Sequence, residues 1–387
     1  MPLTLEPFGL ERFLDEHWGR RPLHLRRDEA GRFDAVLSRP DVDRLVSATG
    51  LRAPAFRLVR DGAQLPLSGY AEDVPWRPGS FAGLARPERV ADEFRRGATL
   101  VLQGLHLHWR PAALYCRGLE AALGCPVQAN AYLTPSAAQG FAVHHDTHDV
   151  FVLQVAGTKR WLWYEPVLES PLRDQRFSAD RDDPGEPVAD FTLEAGDTLY
   201  LPRGWPHEAR TSDSDSLHLT IGVHPPTRLD AIRAALAECS DDLEFRRNLD
   251  AGGALPPDLV ERLAGRLEPE RVRARARRRL VASRRPILDG QLAQAQAADR
   301  LRASDHVERR ETVLHLLELE APRPALAFEG RELTVPPRAG AALAAAARAE
   351  GPFAAADLPG PLDEAGRLVL VRRLVREGFL RVPGLGD

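Results

Sequence analysis

Residues 140–166 read GFAVHHDTHDVFVLQVAGTKRWLWYEP, in which β-branched and aromatic runs are joined by the turn signal Ala156-Gly157-Thr158. Short apolar runs separated by turns predict antiparallel β-strands. The same texture extends from about Pro126 to Pro226, in VQANAYLT, DFTLEAGDTLYLP and LHLTIGV. Many short strands at this spacing predict a double-stranded β-helix, that is, a jelly roll.

Histidine and aspartate side chains in this region are arranged as metal ligands would be. Six of the twelve histidines lie between His144 and His224. Because side chains alternate along a strand, His144 and Asp146 would share one face. His207, in GDTLYLPRGWPHEA, follows a turn, a strand and a Pro-Arg-Gly corner that can return it to the same place. Two histidines and one carboxylate form the facial triad of non-haem iron(II) oxygenases, which favours iron over structural zinc.

The HxD pattern is weak when it stands alone. Most polar side chains of a globular chain lie at the surface or are hydrogen-bonded in the core. Histidines with a purely structural role are therefore the alternative at this point. The third histidine, at a suitable separation in a β-rich region, favours the metal site.

The lysine content of the chain singles out one further residue. Of the 52 basic side chains, 51 are arginine, and the only lysine is Lys159. Binding 2-oxoglutarate requires a cation for the distal carboxylate, and Lys159 follows the turn that ends the strand after the HxD pattern. An exposed hairpin lysine is the alternative. Since arginine and lysine are not interchangeable in a shaped pocket, the composition favours a cofactor anchor.

The regions that flank the β-strands predict a mixed fold of three parts. Residues 1–226 form the catalytic domain, whose N-terminal α/β elements include FGLERFLDEHW, ATLVLQGL and PAALYCRGLEAAL. Residues 227–329 are predicted to be a helical domain. Its apolar faces comprise Leu229, Ile232, Leu236, Cys239 and Leu243, and Val313, Leu316 and Leu317. A short strand, two helices and a terminal strand predict a winged helix at residues 330–387.

Composition narrows the class of protein. The net charge is −4, whereas dedicated nucleic-acid binders are typically basic, so nucleic acid is not expected as a partner. The arginine run at 271–279 is interpreted as a solvated helix face, with a nucleic-acid-binding or acidic-partner patch as the alternative. Three cysteines without a CxxC pair argue against disulfides and a thiolate zinc site. Neither a signal peptide nor a membrane span is recognised, so a cytoplasmic location is expected.

Several segments resemble a known family, the Jumonji-C (cupin-4-like) oxygenases of the ribosomal-oxygenase group. They are FLDEHWGRRPLHLRR, QANAYLTPSAAQGFAVHHDTHDVFVLQVAGTKRW, GDTLYLPRGWPHEA and SLHLTIGV. The resemblance is strong through about Pro226. It extends more weakly to the end of the chain, through the order β domain, helical domain and winged helix.

The resemblance implies roles for particular residues. His144, Asp146 and His207 become ligands of iron(II), and Lys159 becomes the partner of the distal carboxylate of 2-oxoglutarate. Asn130, Tyr132, His218 and Thr220 match positions near the cofactor or the metal; inward-facing structural residues are the alternative for them. The sequence departs from the family at His145, where an aromatic residue is common, and at His148 nearby. These two departures affect the expected choice of substrate more than the expected metal binding.

The resemblance further implies hydroxylation of an amino-acid side chain of a protein. Ribosomal proteins are the usual targets, and arginine or histidine the usual residues. A homodimer formed by the helical domain is expected. Three alternatives stay open: a tailoring hydroxylase of a peptide natural product, a metal-dependent cupin enzyme that does not use 2-oxoglutarate, and a winged-helix DNA-binding sensor of metal or ligand.

Overall fold

The structure is a computed structural model that describes residues 2–136, 138–211, 214–249, 251–320 and 322–385. The chain divides into two compact units, unit 1 (Met1–Pro225) and unit 2 (Pro226–Asp387). The boundary lies at the consecutive prolines Pro225 and Pro226, where neither a helix nor a sheet can continue easily. Among the described residues, no helix combines the length and the hydropathy that crossing a membrane requires.

Unit 1 contains five helices and fourteen strands among its described residues. The helices are α1 (Pro2–Leu5), α2 (Leu10–Glu16), α3 (Arg39–Ala48), α4 (Pro87–Arg95) and α5 (Arg110–Leu123). The strands are β1 (Leu23–Leu25), β2 (Phe56–Arg60), β3 (Ala63–Gln64), β4 (Ala71–Trp76), β5 (Gly79–Ala85), β6 (Thr99–Leu102), β7 (Val127–Thr134), β8 (Gln139–His144), β9 (Asp149–Gly157), β10 (Lys159–Trp163), β11 (Ala189–Leu193), β12 (Thr198–Leu201), β13 (His207–Arg210) and β14 (Ser216–Val223).

Two antiparallel sheets form the predicted double-stranded β-helix. The larger sheet has the order β1-β12-β9-β14-β7-β6-β2-β3, and the smaller has the order β11-β10-β13-β8. From β8 to β14 the chain passes back and forth between the two sheets, except that the consecutive strands β10 and β11 pair within the smaller sheet, and this is the connectivity of a jelly roll. The hairpin of β4 and β5 forms a separate two-stranded sheet.

Strand β9 shows why the central run of the sequence is almost continuously apolar. Val150 and Val152 belong to a cluster between the two sheets, together with Trp161 of β10. Phe151 and Leu153 point the other way and join the main core, which is built on the outer face of the larger sheet. Because side chains alternate along a strand, a strand that is covered on both faces must be apolar at successive positions.

The N-terminal helices cover the outer face of the larger sheet. Phe13 of α2 contacts Phe151 and Tyr200, with ring centroids 5.4 and 4.8 Å apart. Helix α3 begins at a capping box in which the Ser38 hydroxyl accepts from the backbone N–H of Asp41. Helix α5 buries Cys116 and Leu119 in the same core. These helices stabilise the sheet from outside and leave its inner face to the functional site.

Unit 2 contains seven helices and six strands among its described residues. They are α6 (Arg228–Cys239), α7 (Leu243–Arg246), α8 (Pro257–Arg266), α9 (Pro269–Ser283), α10 (Gln291–Ala298), β15 (His306–Arg309), β16 (His315–Glu318), β17 (Ala325–Phe328), β18 (Arg331–Thr334), α11 (Gly340–Arg348), β19 (Phe353–Ala354), α12 (Glu364–Arg376) and β20 (Leu380–Arg381). The strands form two sheets, ordered β19-β15-β20 and β16-β17-β18.

The prediction that Leu316 and Leu317 lie on a helix is wrong, because they belong to strand β16. A short apolar run does not distinguish a strand from a buried helix by periodicity alone, and the prolines at 322 and 324 leave no room for a long helix. One hydrophobic cluster in unit 2 contains residues from Ala298 to Leu380. The division of this unit into a helical domain and a winged helix stays a prediction.

Candidate metal and co-substrate site

Three side chains from separate segments of unit 1 converge to form a possible metal centre. His144 is the last residue of β8, and His207, the first residue of β13, is its partner in the register of the two strands. Asp146 lies two residues after the end of β8. The ligand atoms of the three side chains all lie within 4.8 Å of one another, so small side-chain rotations suffice to bring them to one ion.

Backbone carbonyls orient both imidazoles. Nδ1 of His144 lies 2.8 Å from the carbonyl oxygen of Ala142, and Nδ1 of His207 lies 3.0 Å from that of Trp205. A carbonyl oxygen can only accept, so Nδ1 carries the proton in each ring. The lone pair is therefore on Nε2, the atom that would bind a metal, and outer hydrogen bonds of metal-binding histidines usually produce this arrangement.

The charges at the cluster suit a cation. Burial raises the pKa of Asp146, but the imidazoles of His148, His207, His144 and His145 together outweigh burial and hold that pKa below its usual value. Burial and the neighbouring His144 lower the pKa of His207 to about 4. The cluster therefore presents an anionic carboxylate and a neutral imidazole at neutral pH, which are the protonation states that a metal requires.

A cavity of about 60 Å³ adjoins the three ligands and contains the only lysine of the chain. The Lys159 side chain is buried, and its Nζ donates to Oγ1 of Thr134 at 3.3 Å. No carboxylate of the described residues pairs with it. Burial lowers the pKa of Lys159 to about 7. An anion is the partner that this side chain lacks.

Tyr132, His218 and Trp161 line the same cavity. The rings of Tyr132 and His218 are stacked with centroids 4.9 Å apart, and Trp161 lies edge-on to His218 at 5.8 Å. Within the described part of the chain, Nδ1 of His218 and Nε1 of Trp161 are buried without a hydrogen-bond partner. Buried polar atoms of this kind ordinarily have partners, so the cavity has the features of a site for a polar ligand.

The two remaining candidates, Thr220 and Asn130, have different environments. Thr220 lines the cavity. Asn130 is on the same strand as Tyr132, but its Oδ1 accepts from the backbone N–H of Gly104 at 2.9 Å, which is a structural contact. Its role in cofactor binding stays a prediction.

The two additional histidines have distinct environments. Nε2 of His145 donates to the carbonyl oxygen of Gln175 at 3.2 Å, and the ring lies edge-on to Phe177 at 5.5 Å. His148 stacks on His224 with centroids 4.6 Å apart. A Cβ at Gly222 would approach Nε2 of His148 to 2.6 Å, so the glycine makes room for this imidazole.

Trp161 is a cavity residue that the sequence analysis did not select. It does pack between the sheets, but it also lines the cavity. Strand parity could have revealed this role, since Trp161 lies two residues after Lys159 on β10 and must share its face. Glu208 lines the cavity as well and accepts from the Tyr164 hydroxyl at 2.9 Å.

A sequence model of the family described as "JmjC domain" matches residues 106–231. This segment includes all three metal-ligand candidates and Lys159.

Relatives with curated names match a longer part of the chain. The bifunctional lysine-specific demethylase and histidyl-hydroxylase NO66 of Drosophila persimilis is 30% identical over 260 residues, which is 67% of this chain and 36% of the relative. Ribosomal oxygenase 1 of Gallus gallus is 32% identical over 252 residues, 63% of this chain and 40% of the relative. The chain thus spans well under half the length of these relatives.

Solved structures match over nearly the whole length. The ribosomal oxygenase YcfD of Escherichia coli aligns with 96% of this chain and 97% of its own, with a TM-score of 0.57 and 18% identity. The same protein in complex with cobalt and 2-oxoglutarate aligns with a TM-score of 0.53 and 18% identity. This chain therefore contains a segment similar to JmjC domains and has the fold of the solved ribosomal oxygenase structures.

Proposed function

We propose that this chain is an iron(II)- and 2-oxoglutarate-dependent oxygenase that hydroxylates an amino-acid side chain of a protein. One observation carries the proposal: a His-Asp-His cluster and a buried lysine, which no carboxylate of the described residues pairs with, face the same cavity. The first is the ligand set of non-haem iron(II) oxygenases. The second supplies the cation that a dicarboxylate co-substrate needs. A cupin enzyme without this co-substrate has no need of a buried ammonium there.

The chain's own residues would bind and orient the reacting groups. His144, Asp146 and His207 would hold iron(II), which would supply the hydroxylating chemistry with dioxygen as the oxidant and with 2-oxoglutarate as the co-substrate that is oxidised to succinate and carbon dioxide. Lys159 would bind the distal carboxylate of the co-substrate, and Thr134, which already accepts from its Nζ, would orient the ammonium. Val150 and Val152 line the same cavity and would exclude water from it.

An anaerobic titration of the iron(II)-loaded protein with 2-oxoglutarate tests this proposal. We expect a weak visible charge-transfer band that saturates, and that is lost in Asp146→Ala because one ligand is missing. Lys159→Ala should retain iron and require a much higher 2-oxoglutarate concentration. A wild-type protein that binds iron(II) but develops no band would refute the assignment.

The substrate is proposed to be a protein, with arginine or histidine as the modified residue. The support is the similarity to relatives named histidyl-hydroxylase and ribosomal oxygenase. Incubation of the iron-loaded protein with ribosomal proteins, followed by peptide mass spectrometry, should reveal an added mass of one oxygen on a single side chain. The addition should require 2-oxoglutarate and be lost in Asp146→Ala.

We also propose that unit 2 mediates formation of a homodimer. Large apolar side chains are exposed on its first helices, among them Ile232, Leu236, Leu243 and Val260. Exposed apolar surface of this extent favours an interface between copies of the chain. Sedimentation should give the mass of a dimer for the wild type, and Leu236→Asp should shift the protein toward monomer.

A further inference from the structure

The side chain of Lys159 has the environment of a nucleophilic amine. Lys159 is 4% exposed, and among the described residues its one hydrogen bond is to Oγ1 of Thr134, at 3.3 Å. Burial lowers the pKa of this lysine to about 7. At pH 8 about nine in ten of these side chains are therefore neutral, against fewer than about one in a hundred for a lysine with a pKa of 10.5. A neutral amine carries the lone pair that attacks an electrophile.

The cavity beside Lys159 suits carbon dioxide as that electrophile. Its volume is about 60 Å³, whereas a single water molecule needs about 10–15 Å³ of such space. Carbon dioxide has three heavy atoms and no charge to desolvate, so its entry into a buried cavity costs little. The proposed reaction also releases carbon dioxide from 2-oxoglutarate at the neighbouring metal centre. The amine and a source of its electrophile thus share one cavity.

Two donors that could stabilise the product, a carbamate, lie in the same cavity. Trp161 is two residues after Lys159 on β10 and shares its face. The indole lines the cavity, and its Nε1–H is buried without an acceptor among the described residues. Oγ1 of Thr134 accepts from both Lys159 and Thr99, so its own hydroxyl proton is left to donate. An indole N–H and a hydroxyl can each donate to an oxygen, and a carbamate supplies two oxygens.

The carboxylates that line the cavity already have partners of their own. Glu208 accepts from the hydroxyl of Tyr164 and from Arg210, both at 2.9 Å. Asp146 belongs to the metal cluster, with both histidine ligand atoms within 4.8 Å. Neither carboxylate pairs with Lys159, so the two donors remain for an added anion.

We propose that Lys159 is a site of reversible carbamylation by carbon dioxide, and that the carbamate occupies the position of the distal carboxylate of 2-oxoglutarate. The lone pair of the nitrogen forms a bond to the carbon of carbon dioxide. The electrons of one carbon–oxygen π bond move to oxygen, and the nitrogen releases one proton to solvent. No oxidant or reductant takes part. The product is an anion where the co-substrate requires a cation, so carbamylation and 2-oxoglutarate compete.

The modification depends on the chain alone, whereas its regulatory meaning rests on the proposed function. The amine, the cavity and the two donors belong to the chain, so the carbamate forms without a metal. In an oxygenase that releases carbon dioxide beside Lys159, accumulated product would inhibit the next turnover. Bound 2-oxoglutarate would oppose this inhibition, because its carboxylate favours the protonated ammonium.

Carbon-13 NMR of the full chain, free of metal, tests the modification. The sample is held at pH 8 with carbon-13-labelled bicarbonate, which supplies carbon dioxide by equilibrium. A carbamate carbon resonates apart from bicarbonate and carbon dioxide. Because the chain has one lysine, Lys159→Arg leaves only the terminal amine as a source, and subtraction of its spectrum isolates the signal of Lys159. Lys159→Met serves as a second variant without lysine.

We expect the wild type to give a carbamate resonance that both variants without lysine lack. Trp161→Phe keeps a ring and removes the N–H, and should lower the intensity at least about fivefold, since a hydrogen bond to a charged group is lost. Trp163→Phe is the matched control, because Trp163 lies two residues further along β10 and packs on Phe191 at 4.7 Å; its resonance should equal that of the wild type. Identical spectra of the wild type and the variants without lysine would overturn the proposal. Equal intensities in Trp161→Phe and the wild type would overturn the role of the indole.

Addition of 2-oxoglutarate to the zinc(II)-loaded protein, which is diamagnetic, tests the competition. The carbamate resonance should disappear as calorimetry on the same sample reports binding of 2-oxoglutarate. A resonance that persists when 2-oxoglutarate is bound would overturn the shared position.

The charge-transfer band of the iron(II)-loaded protein separates this inference from the proposed function. A normal band together with no carbamate resonance would refute only the carbamylation. A missing band would refute the oxygenase assignment, whereas a carbamate resonance in the metal-free protein would still establish the modification.

Discussion

Replacement of Lys159 by methionine should stabilise the unliganded protein while it abolishes tight binding of 2-oxoglutarate. The lysine is buried beside the candidate metal site, and among the described residues its one hydrogen bond is to Thr134. Burial lowers its pKa from the ordinary 10.5 to about 7. Methionine has a similar length and no charge to desolvate, and Thr134 retains a bond to Thr99 at 3.2 Å. The substitution therefore removes a cost and leaves no polar group without a partner.

The magnitude follows from the difference between the two pKa values. Between pH 7 and pH 10.5 the unfolded chain protonates this lysine and the folded chain does not, so the free energy of unfolding of the wild type rises with pH in that range. At about 1.4 kcal/mol per pKa unit, the lysine costs the folded state about 4 kcal/mol at pH 7 and about 2 kcal/mol at pH 9. The lost hydrogen bond offsets about 1 kcal/mol of the gain.

Urea denaturation followed by tryptophan fluorescence measures this effect in the relevant unit, because all six tryptophans lie before residue 226. Lys159→Met should exceed the wild type by about 3 kcal/mol at pH 7 and by about 1 kcal/mol at pH 9. Lys159→Arg, which stays charged, should differ from Lys159→Met by the same amount at both pH values. A methionine variant that is less stable than the wild type at pH 7 would refute the reasoning. So would a stability difference between them that does not change with pH. Carbon-13 labelling of lysine yields one side-chain signal, whose titration checks the pKa directly.

Three further substitutions test the packing of unit 1. Gly222→Ala places a Cβ 2.6 Å from Nε2 of His148 and should lower the free energy of unfolding by about 1–3 kcal/mol. Gly118→Ala should raise the free energy of unfolding by about 0.5–1 kcal/mol, because this glycine lies in a helix and nothing lies within 4 Å of the new Cβ. Equal shifts of the melting temperature in the two variants would contradict this account. Arg117→Met breaks a buried ion pair with Glu120, 3.1 Å long. It should lower the free energy of unfolding, measured by urea denaturation, by about 3–5 kcal/mol. A loss below about 1 kcal/mol, which is typical of exposed ion pairs, would contradict this prediction.

The local sequence pattern alone predicted several features of the candidate site and of the fold around it. The alternation of side chains along a strand predicted that His144 and Asp146 share one face; their ligand atoms do lie within 4.8 Å of each other, although Asp146 lies beyond the end of β8. The lysine content pointed to Lys159, which lies in the same cavity. The helix PAALYCRGLEAAL and the strand ATLVLQGL appear as α5 and β6. In each case the property belongs to neighbouring residues, because strand and helix periods are set by the backbone itself.

The sequence by itself determined the candidate ligands, the candidate anchor and the type of fold that joins them. Tertiary structure decided what lies between elements distant in sequence. Only folding brings His207 opposite His144 in register, leaves Nδ1 of His145 buried without a hydrogen-bond partner among the described residues, and packs Leu168 and Pro171 on Gly204. It also makes residues 315–318 a strand, by pairing them with β17. Contacts of this kind depend on long-range packing and on burial, which side-chain periodicity does not encode.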